Sequence, residues 1–325
     1  MKILFVHIML SVPFIVHCQA FEVISVDLEN ISGENHYNIS DLQDERVQNA
    51  TMLILKIETS DTTVINNALI QIKHVEELFI FSDSIRLFGE GLTDLHELKR
   101  LVIFCSQLES LPEKFGELTN LLGLEIETSK LTELPKSFSN LHQLDYLAVH
   151  QANFLVFPDE VLQLKNGLYY LHLDIPNITA LPDNFSSLKF KLLDDQSTHG
   201  YMTLTNCVSL ISLPPNIRSL NFRLFLKDAK SITDISSLNN GEQHFNLMIT
   251  NMGSRRQVKK MLRSLKNSKN LSLIIDTECL LPFPRVLKKL DELEKLELLT
   301  NGNGLKPRQK ACLTKRMPNT EIVFN

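Results

Sequence analysis

The feature that most constrains the fold is a short apolar block that returns at a constant step. The chain of 325 residues reads Leu-Pro at 111–112 and again at 134–135, and each pair is followed at the same spacing by a Phe and a Leu. Two apolar residues separated by one position recur every 23 residues at Leu78/Ile80, Leu101/Ile103, Leu124/Ile126 and Leu147/Val149. This periodicity predicts a chain built from repeated structural units.

The repeat continues in both directions at less regular steps. Leu53/Leu55 precedes it, and Leu171/Leu173, Met202/Leu204, Leu224/Leu226, Leu247/Ile249, Leu273/Ile275, Leu296/Leu298 and Ile322/Phe324 follow. A unit of this length cannot bury its own hydrophobic face, so it must stack on its copies. Alternating apolar residues predict a strand whose successive side chains point to opposite faces. The sequence therefore predicts a solenoid with about twelve rungs.

The residues also resemble a known family. The stretch LESLPEKFGELTNLLGLEIETSKL, which begins at residue 108, is similar to the leucine-rich repeat pattern L-x-x-L-P-x-x-F-x-x-L-x-x-L-x-x-L-x-L-x-x-N-x-L. The resemblance covers residues 47–325 and is most specific over 85–190. It implies an α/β leucine-rich repeat solenoid, a curved horseshoe with a parallel β-sheet on the concave face and short 3₁₀ or helical returns on the convex face.

This chain departs from the family at one position. Where the family usually places Asn, the sequence has Ser106, Ser129, Ala152 and Pro176. A regular ladder of buried Asn side chains is therefore not expected. Ser can replace Asn in part, whereas water or local turns must satisfy the remaining backbone groups, or the rungs are less regular.

The return segments are predicted to change character along the chain. Proline in the central units disfavours regular helix, so short extended or 3₁₀ returns are expected there. From residue 255, apolar residues fall at helical spacing and predict true helices on the convex side. They are Val258, Met261, Leu262 and Leu265 in one segment, and Val286, Leu287, Leu290 and Leu293 in the next. The last residues predict one more helix, a turn at 318–319 and a closing strand.

The start of the chain predicts export. Residues 1–20 combine one Lys, a short apolar run and Ala20 at the end, which is typical of a secretory signal peptide. Attachment of a lipid at Cys18 is an alternative. Residues 21–46 are polar and acidic and predict an N-terminal cap, which leaves 47–325 as the repeat domain. We therefore expect an exported protein, secreted or held at the cell envelope or cell surface.

Composition and motifs argue against several functional classes. A net charge of −5 gives no reason to expect nucleic acid as a partner. We find no Gly-rich phosphate loop, no His-x-x-x-His pair and no Gly-x-Ser-x-Gly elbow, so we expect no enzyme, no cofactor and no metal site. Beyond the signal segment the Cys are scattered singly, and we interpret them as small apolar residues in or near the core. They are Cys105, Cys207, Cys279 and Cys312.

The repeat itself predicts where a partner would bind. The outward positions of neighbouring strands lie about 4.8 Å apart, so Phe79, Phe81, Val102 and Phe104 would form an exposed apolar patch. An acidic rung and a strip of Tyr and His would lie beside it. The candidate ligand-binding residues are Phe79, Phe81, Val102, Phe104, Glu125, Glu127, Tyr146, His150, Tyr170 and His172. The competing interpretation is that these aromatics pack on one another, or under the cap, and serve stability alone.

A second candidate surface is basic. Arg255, Arg256, Lys259, Lys260 and Arg263 lie in a predicted helix without Asp or Glu. They could contact an anionic surface such as lipid headgroups, although a solvated helix face is the more common reason for such a run.

From the sequence we predict that the protein is not an enzyme and that it binds a protein or peptide through its concave face. The resemblance to bacterial leucine-rich repeat proteins implies adhesion or host interaction. A structural scaffold of the envelope, without an external ligand, is the alternative, and an enzyme is a distant third.

Overall fold

The computed structural model describes residues 45–191, 200–215, 217, 222–239, 245–251, 253–265, 271–276, 290, 293–299 and 306–324. The predicted signal peptide at 1–20 lies outside the described residues. The predicted cap at 21–46 also lies outside them, apart from its last two positions in the helix Glu45–Gln48. Of the helix predicted around Val286 to Leu293, Leu290 and Leu293 are described, and both are buried.

Twelve parallel strands form one sheet, and their order in space follows their order in the chain. They are β1 Met52–Lys56, β2 Glu77–Ser82, β3 Arg100–Cys105, β4 Gly123–Glu127, β5 Tyr146–His150, β6 Tyr170–Asp174, β7 Gly200–Thr205, β8 Phe222–Lys227, β9 Phe245–Thr250, β10 Leu271–Asp276, β11 Lys295–Leu299 and β12 Glu321–Phe324. The prediction of about twelve rungs is confirmed, because every predicted apolar pair lies in one of these strands.

The inward residues of the strands build one continuous core. Leu78 pairs in register with Leu101, which pairs with Leu124, and each of these side chains is fully buried. Because each rung places an apolar residue against the same position of the next rung, the hydrophobic contact runs along the solenoid and not within a single unit. The apolar pair that repeats in the sequence is therefore the core of the fold.

Four returns of the central rungs are short 3₁₀ helices, as predicted, whereas the return between β5 and β6 is one turn of α-helix, Asp159–Leu162. The four 3₁₀ helices lie at Glu90–Leu92, Phe115–Glu117, Lys136–Asn140 and Asp183–Ser187. The last three of these returns contain the Phe of a Leu-Pro-x-x-Phe segment, and Phe115, Phe138 and Phe185 are fully buried. The rings of Phe115 and Phe138 stack with centroids 6.1 Å apart. These rings pack in the core between the sheet and the short returns.

The predicted helices at the C-terminal end are confirmed where the structure describes them. A helix spans Arg255–Ser264 with Val258, Met261 and Leu262 buried, and another spans Pro307–Arg316 before the closing strand. The eight-residue helix after β1 was not predicted. Thr62–Leu69 is helical because Asp61 accepts hydrogen bonds from the backbone N–H groups of Thr63 and Val64, which caps its first turn.

Hydroxyl groups replace the missing Asn ladder one position earlier in the repeat than the pattern suggests. The buried Thr128 hydroxyl donates to Leu108 O at 2.8 Å and accepts from the Lys130 N–H at 3.2 Å. Ser82 Oγ accepts from the N–H groups of Ser84 and Ile85, both at 3.1 Å. Ser129, at the expected position, is exposed, and its hydroxyl reaches Ser106 O at 3.3 Å. Serine thus replaces Asn in part, as expected, and the Thr128 hydroxyl has the same role in its own rung.

Candidate recognition surface

The sheet face turned away from the core, which we call the concave face, carries three rows of side chains. The register aligns Glu77, Arg100, Gly123, Tyr146, Tyr170 and Tyr201 in the first row. It aligns Phe79, Val102, Glu125, Ala148, His172 and Thr203 in the second. The third row contains Phe81, Phe104, Glu127 and His150. All ten predicted candidate residues therefore lie on one face of one sheet.

The aromatic patch at the first rungs consists of Phe79, Phe81 and Phe104, each half-buried. The Phe81 and Phe104 rings stack with centroids 5.1 Å apart and an interplanar angle of 17°. The Arg100 guanidinium lies 5.4 Å from the centre of the Phe79 ring, within the range of a cation–π contact. These contacts hold the rings in position and leave part of each ring open to solvent.

Val102 corrects the prediction of an exposed patch of four residues. Its side chain is 1% exposed. In register it lies between Phe79 and Glu125, whose longer side chains rise on either side. Glu125 itself is 8% exposed and Ala148 is fully buried, so the second row is covered at three consecutive rungs. The accessible surface there comes from the first and third rows.

The predicted strip of Tyr and His is assembled as expected. Tyr146 and Tyr170 stack with ring centroids 4.8 Å apart, and the rings of His150 and His172 lie 4.4 Å apart. Burial raises the pKa of both tyrosines. At neutral pH these phenols therefore stay protonated and can donate a hydrogen bond as well as accept one.

Carboxylates surround the two histidines. Glu125 Oε1 lies 3.4 Å from His150 Nε2, and Asp174 Oδ1 lies 3.4 Å from His172 Nε2. Burial raises the pKa of Glu127, although His150 opposes this shift. The concave face is thus acidic at its centre, between an aromatic patch on one side and a tyrosine strip on the other.

Burial sets the charge of His172, and hydrogen bonds set the charge of its neighbour Asp174. It lowers the pKa of His172, whose side chain is 12% exposed, although the hydrogen bond with Asp174 acts in the opposite direction. For Asp174 burial acts to raise the pKa, but hydrogen bonds from His172 and from the Gln151 N–H outweigh it and lower the pKa. At neutral pH the pair is therefore a neutral imidazole beside an ionised carboxylate.

Several residues of this surface are not among the ten predicted candidates. Asp174 ends β6 and accepts hydrogen bonds from Gln151, Thr205 and Asn206. Gln151 and Asn206 both have positive φ, at 59° and 52°, which turns the chain sharply where β5 and β7 end. A polar residue just after most of the strands was the available signal, but only the register shows that three successive rungs converge on one carboxylate.

The predicted basic surface lies on the helix Arg255–Ser264. Arg256, Lys259, Lys260 and Arg263 are exposed on the side opposite the buried Val258. The side chain of Arg255 lies outside the described residues. The expected exposure is confirmed for these four residues, while contact with an anionic surface stays a prediction.

No family model and no curated protein matches the sequence of this chain. The fold rests on the topology described above, with twelve parallel strands in chain order and short returns. It is a leucine-rich repeat solenoid. Within the part of the chain that the structure describes, no helix is long and apolar enough to cross a bilayer.

Solved structures with the same kind of repeat resemble it at low identity. A leucine-rich repeat protein of Leptospira interrogans is 18% identical with a TM-score of 0.39, and the match covers 85% of this chain and 90% of that one. The leucine-rich repeat domain of the type III effector XopL is 18% identical with a TM-score of 0.43, covering 87% and 77%. A chain of the Drosophila Toll–Spatzle complex is 18% identical with a TM-score of 0.45, covering 90% and 42%.

Proposed function

We propose that this chain is an exported, non-catalytic recognition protein whose concave face binds a protein or peptide. The observation that supports the proposal most directly is that half-buried Phe and Tyr rings lie on neighbouring strands of the concave face. Exposed aromatic clusters on a protein surface commonly mark contact sites, because rigid rings bury much area at a low entropic cost. Adhesion or host interaction is the biological role that we propose for such binding.

The chemistry of the surface defines the kind of ligand. Phe79, Phe81 and Phe104 suit apolar or aromatic side chains, and the partly exposed Glu127 suits a neighbouring basic group, with the buried Glu125 adding negative charge beneath the surface. The phenol groups of Tyr146 and Tyr170 can pair with backbone amides. A peptide segment with an apolar residue followed by Lys or Arg would match this order along the sheet.

A library of random displayed peptides, selected against the immobilised full chain, tests the proposal. We expect enriched peptides to combine apolar and basic residues, and to lose binding to a Phe81→Ser, Phe104→Ser double variant. The matched control is Leu155→Ser, Val156→Ser, because these side chains are 69% and 74% exposed and lie in a loop after β5. Retained binding by the Phe variant, with loss in the control, would place recognition outside the concave face. Thermal melts of both variants separate lost binding from lost folding.

The scaffold alternative is favoured by a specific observation, namely that the aromatic rings stack on each other. The 5.1 Å contact of Phe81 with Phe104 and the 4.8 Å contact of Tyr146 with Tyr170 could serve stability alone. Such pairs contribute about 0.5–1.5 kcal/mol each beyond their buried area. A large drop in melting temperature of the double Phe variant, together with no enriched peptide, would support the scaffold.

Export is the remaining part of the proposal. It is supported by the layout of residues 1–20, and N-terminal sequencing of the protein recovered from its source tests it. A mature chain that begins at Phe21 agrees with signal cleavage, whereas a chain that begins with a lipidated Cys18 agrees with the alternative. A chain that retains Met1 would contradict both.

A further inference from the structure

We propose that His150, His172 and Asp174 form a binding site for one divalent transition metal ion, with Zn²⁺ as the preferred ion. One candidate ligand atom from each residue lies within 4.8 Å of the other two. The three side chains come from β5 and β6, two neighbouring rungs of the concave face. The proposal does not depend on peptide recognition, since it follows from the ligand chemistry of these three residues.

The spacing of the side chains suits a tetrahedral ion. Two ligands at about 2.0–2.1 Å from a tetrahedral Zn²⁺ are separated from each other by about 3.3–3.4 Å. His172 Nε2 and Asp174 Oδ1 are already 3.4 Å apart. The His150 side chain is 23% exposed, so it has room to rotate its ring toward the other two ligands. Two imidazoles and one carboxylate leave one position for water or for a donor group of a partner.

Neighbouring groups orient the ligands as the outer shell of a metal site does. The Tyr170 hydroxyl lies 3.4 Å from His172 Nδ1. With an ion bound, His172 would carry its proton on Nδ1 and donate it to this hydroxyl, and Nε2 would bind the ion instead of donating to Asp174. Asp174 Oδ2 accepts from the Gln151 N–H at 2.9 Å and from Asn206 Nδ2 at 3.1 Å. These bonds hold the carboxylate with Oδ1 turned toward His172.

The electrostatic surroundings also favour a cation. Glu125 and Glu127 lie beside His150, and their carboxylates add negative potential to that of Asp174. The selection of the ion follows from the donor types, because imidazole nitrogen combined with a carboxylate favours Zn²⁺ over Ca²⁺ or Mg²⁺, which prefer oxygen ligands. The sequence concealed this site because its ligands are one rung apart and match no local metal motif.

Titration of the EDTA-treated, dialysed full chain with Zn²⁺ in a calorimeter tests the proposal. We expect one equivalent to bind, with a rise in melting temperature that a metal-bound native state requires. Co²⁺ in place of Zn²⁺ should give the visible absorption of a tetrahedral site. His150→Gln and His172→Gln should abolish this binding, and Tyr170→Phe should weaken it by roughly 10–100-fold because it removes a group that orients a ligand.

The control is His74→Gln, because His74 forms an exposed contact with Glu97 Oε1 at 3.3 Å and lies outside the cluster. This variant should bind Zn²⁺ like the wild type. Equal binding by His150→Gln and the wild type, or no saturable binding by the wild type, would overturn the proposal and leave a hydrogen-bonded cluster. If His172→Gln fails to fold, as judged by circular dichroism, the more exposed His150→Gln decides the question alone.

Discussion

At the scale of single residues, the solenoid depends on side chains that satisfy backbone groups between rungs. Thr128 shows how one hydroxyl does this, since it joins the end of its own strand to the carbonyl of Leu108 in the preceding rung. The residue is buried, with a side chain that has no access to water. A backbone carbonyl that loses such a partner inside the protein carries an unfavourable desolvation energy.

Replacement of Thr128 by Val tests this role with little change in shape. We expect the free energy of unfolding to fall by about 1–3 kcal/mol, because Leu108 O and the Lys130 N–H lose their partner. Thr119→Val is the matched control, since Thr119 is exposed, and it should change stability by less than about 0.5 kcal/mol. Urea denaturation measures both values. Equal stability of the two variants would contradict the role assigned to the Thr128 hydroxyl.

The cysteines divide by environment, and Cys312 departs from the sequence prediction. Cys105 and Cys207 are fully buried, and burial raises the pKa of each thiol to about 12. Cys312 is exposed on the helix Pro307–Arg316, whereas the next residue, Leu313, is buried. The expectation of a core or near-core residue is therefore wrong for Cys312, while Cys279 lies outside the described residues.

Thiol labelling should follow this division. At pH 8 we expect iodoacetamide to modify Cys312 within minutes and to leave Cys105 and Cys207 unmodified, because the thiolate is the reacting species and burial suppresses both its formation and its access. Peptide mapping by mass spectrometry assigns each site. Addition of denaturant should make all three react at similar rates, and fast labelling of Cys105 in the native protein would contradict the described burial.

At the scale of elements, the returns of neighbouring rungs approach so closely that side chains cannot fit between them. A Cβ atom added to Gly116 would lie 1.9 Å from Ser137 O, which belongs to the backbone of the next return. The Gly116 N–H also bonds Ser137 Oγ at 3.0 Å. Glycine is therefore required here by the spacing of the rungs and not by a positive φ.

Gly116→Ala should separate these two returns and lower the free energy of unfolding by about 1–3 kcal/mol. Gly123→Ala provides a matched control in β4, where the nearest atom to an added Cβ is Arg100 Cγ at 3.9 Å. That variant should be neutral or more stable by about 0.5–1 kcal/mol, because alanine restricts the unfolded chain. Thermal or urea unfolding compares them, and similar losses in both would argue against the close approach.

The same elements show how much the sequence could predict. The regular spacing of Leu78, Leu101 and Leu124 predicts the strands and their order, because each repeat must stack on the next one to bury its apolar residues. The helix Thr62–Leu69 was not predicted, although Asp61 at its start is a typical N-cap residue. Burial of Val102, and the meeting of His150 with Asp174, depend on register and on the size of neighbouring side chains. Register and side-chain contacts between rungs cannot be read from the sequence of a single repeat.

At the scale of the whole molecule, each rung contacts only its neighbours, so stability should be distributed along the sheet. Every strand from β1 to β12 pairs with the strand that precedes or follows it in the chain. In such a chain of units, total stability approximates a sum of local terms and nearest-neighbour terms. A local defect is then felt most strongly close to its own position.

Hydrogen exchange of the Gly116→Ala variant tests this distribution. The substitution disturbs the returns next to β4 and β5, so we expect amide protection to fall most in β3 to β5 and least in β9 and β10. The physical reason is that partial unfolding of the damaged rungs exposes few contacts of the distant ones. Mass spectrometry of the exchanging protein resolves the segments, with Gly123→Ala as the reference. An equal loss of protection in all strands would instead show that the twelve rungs unfold as one cooperative unit.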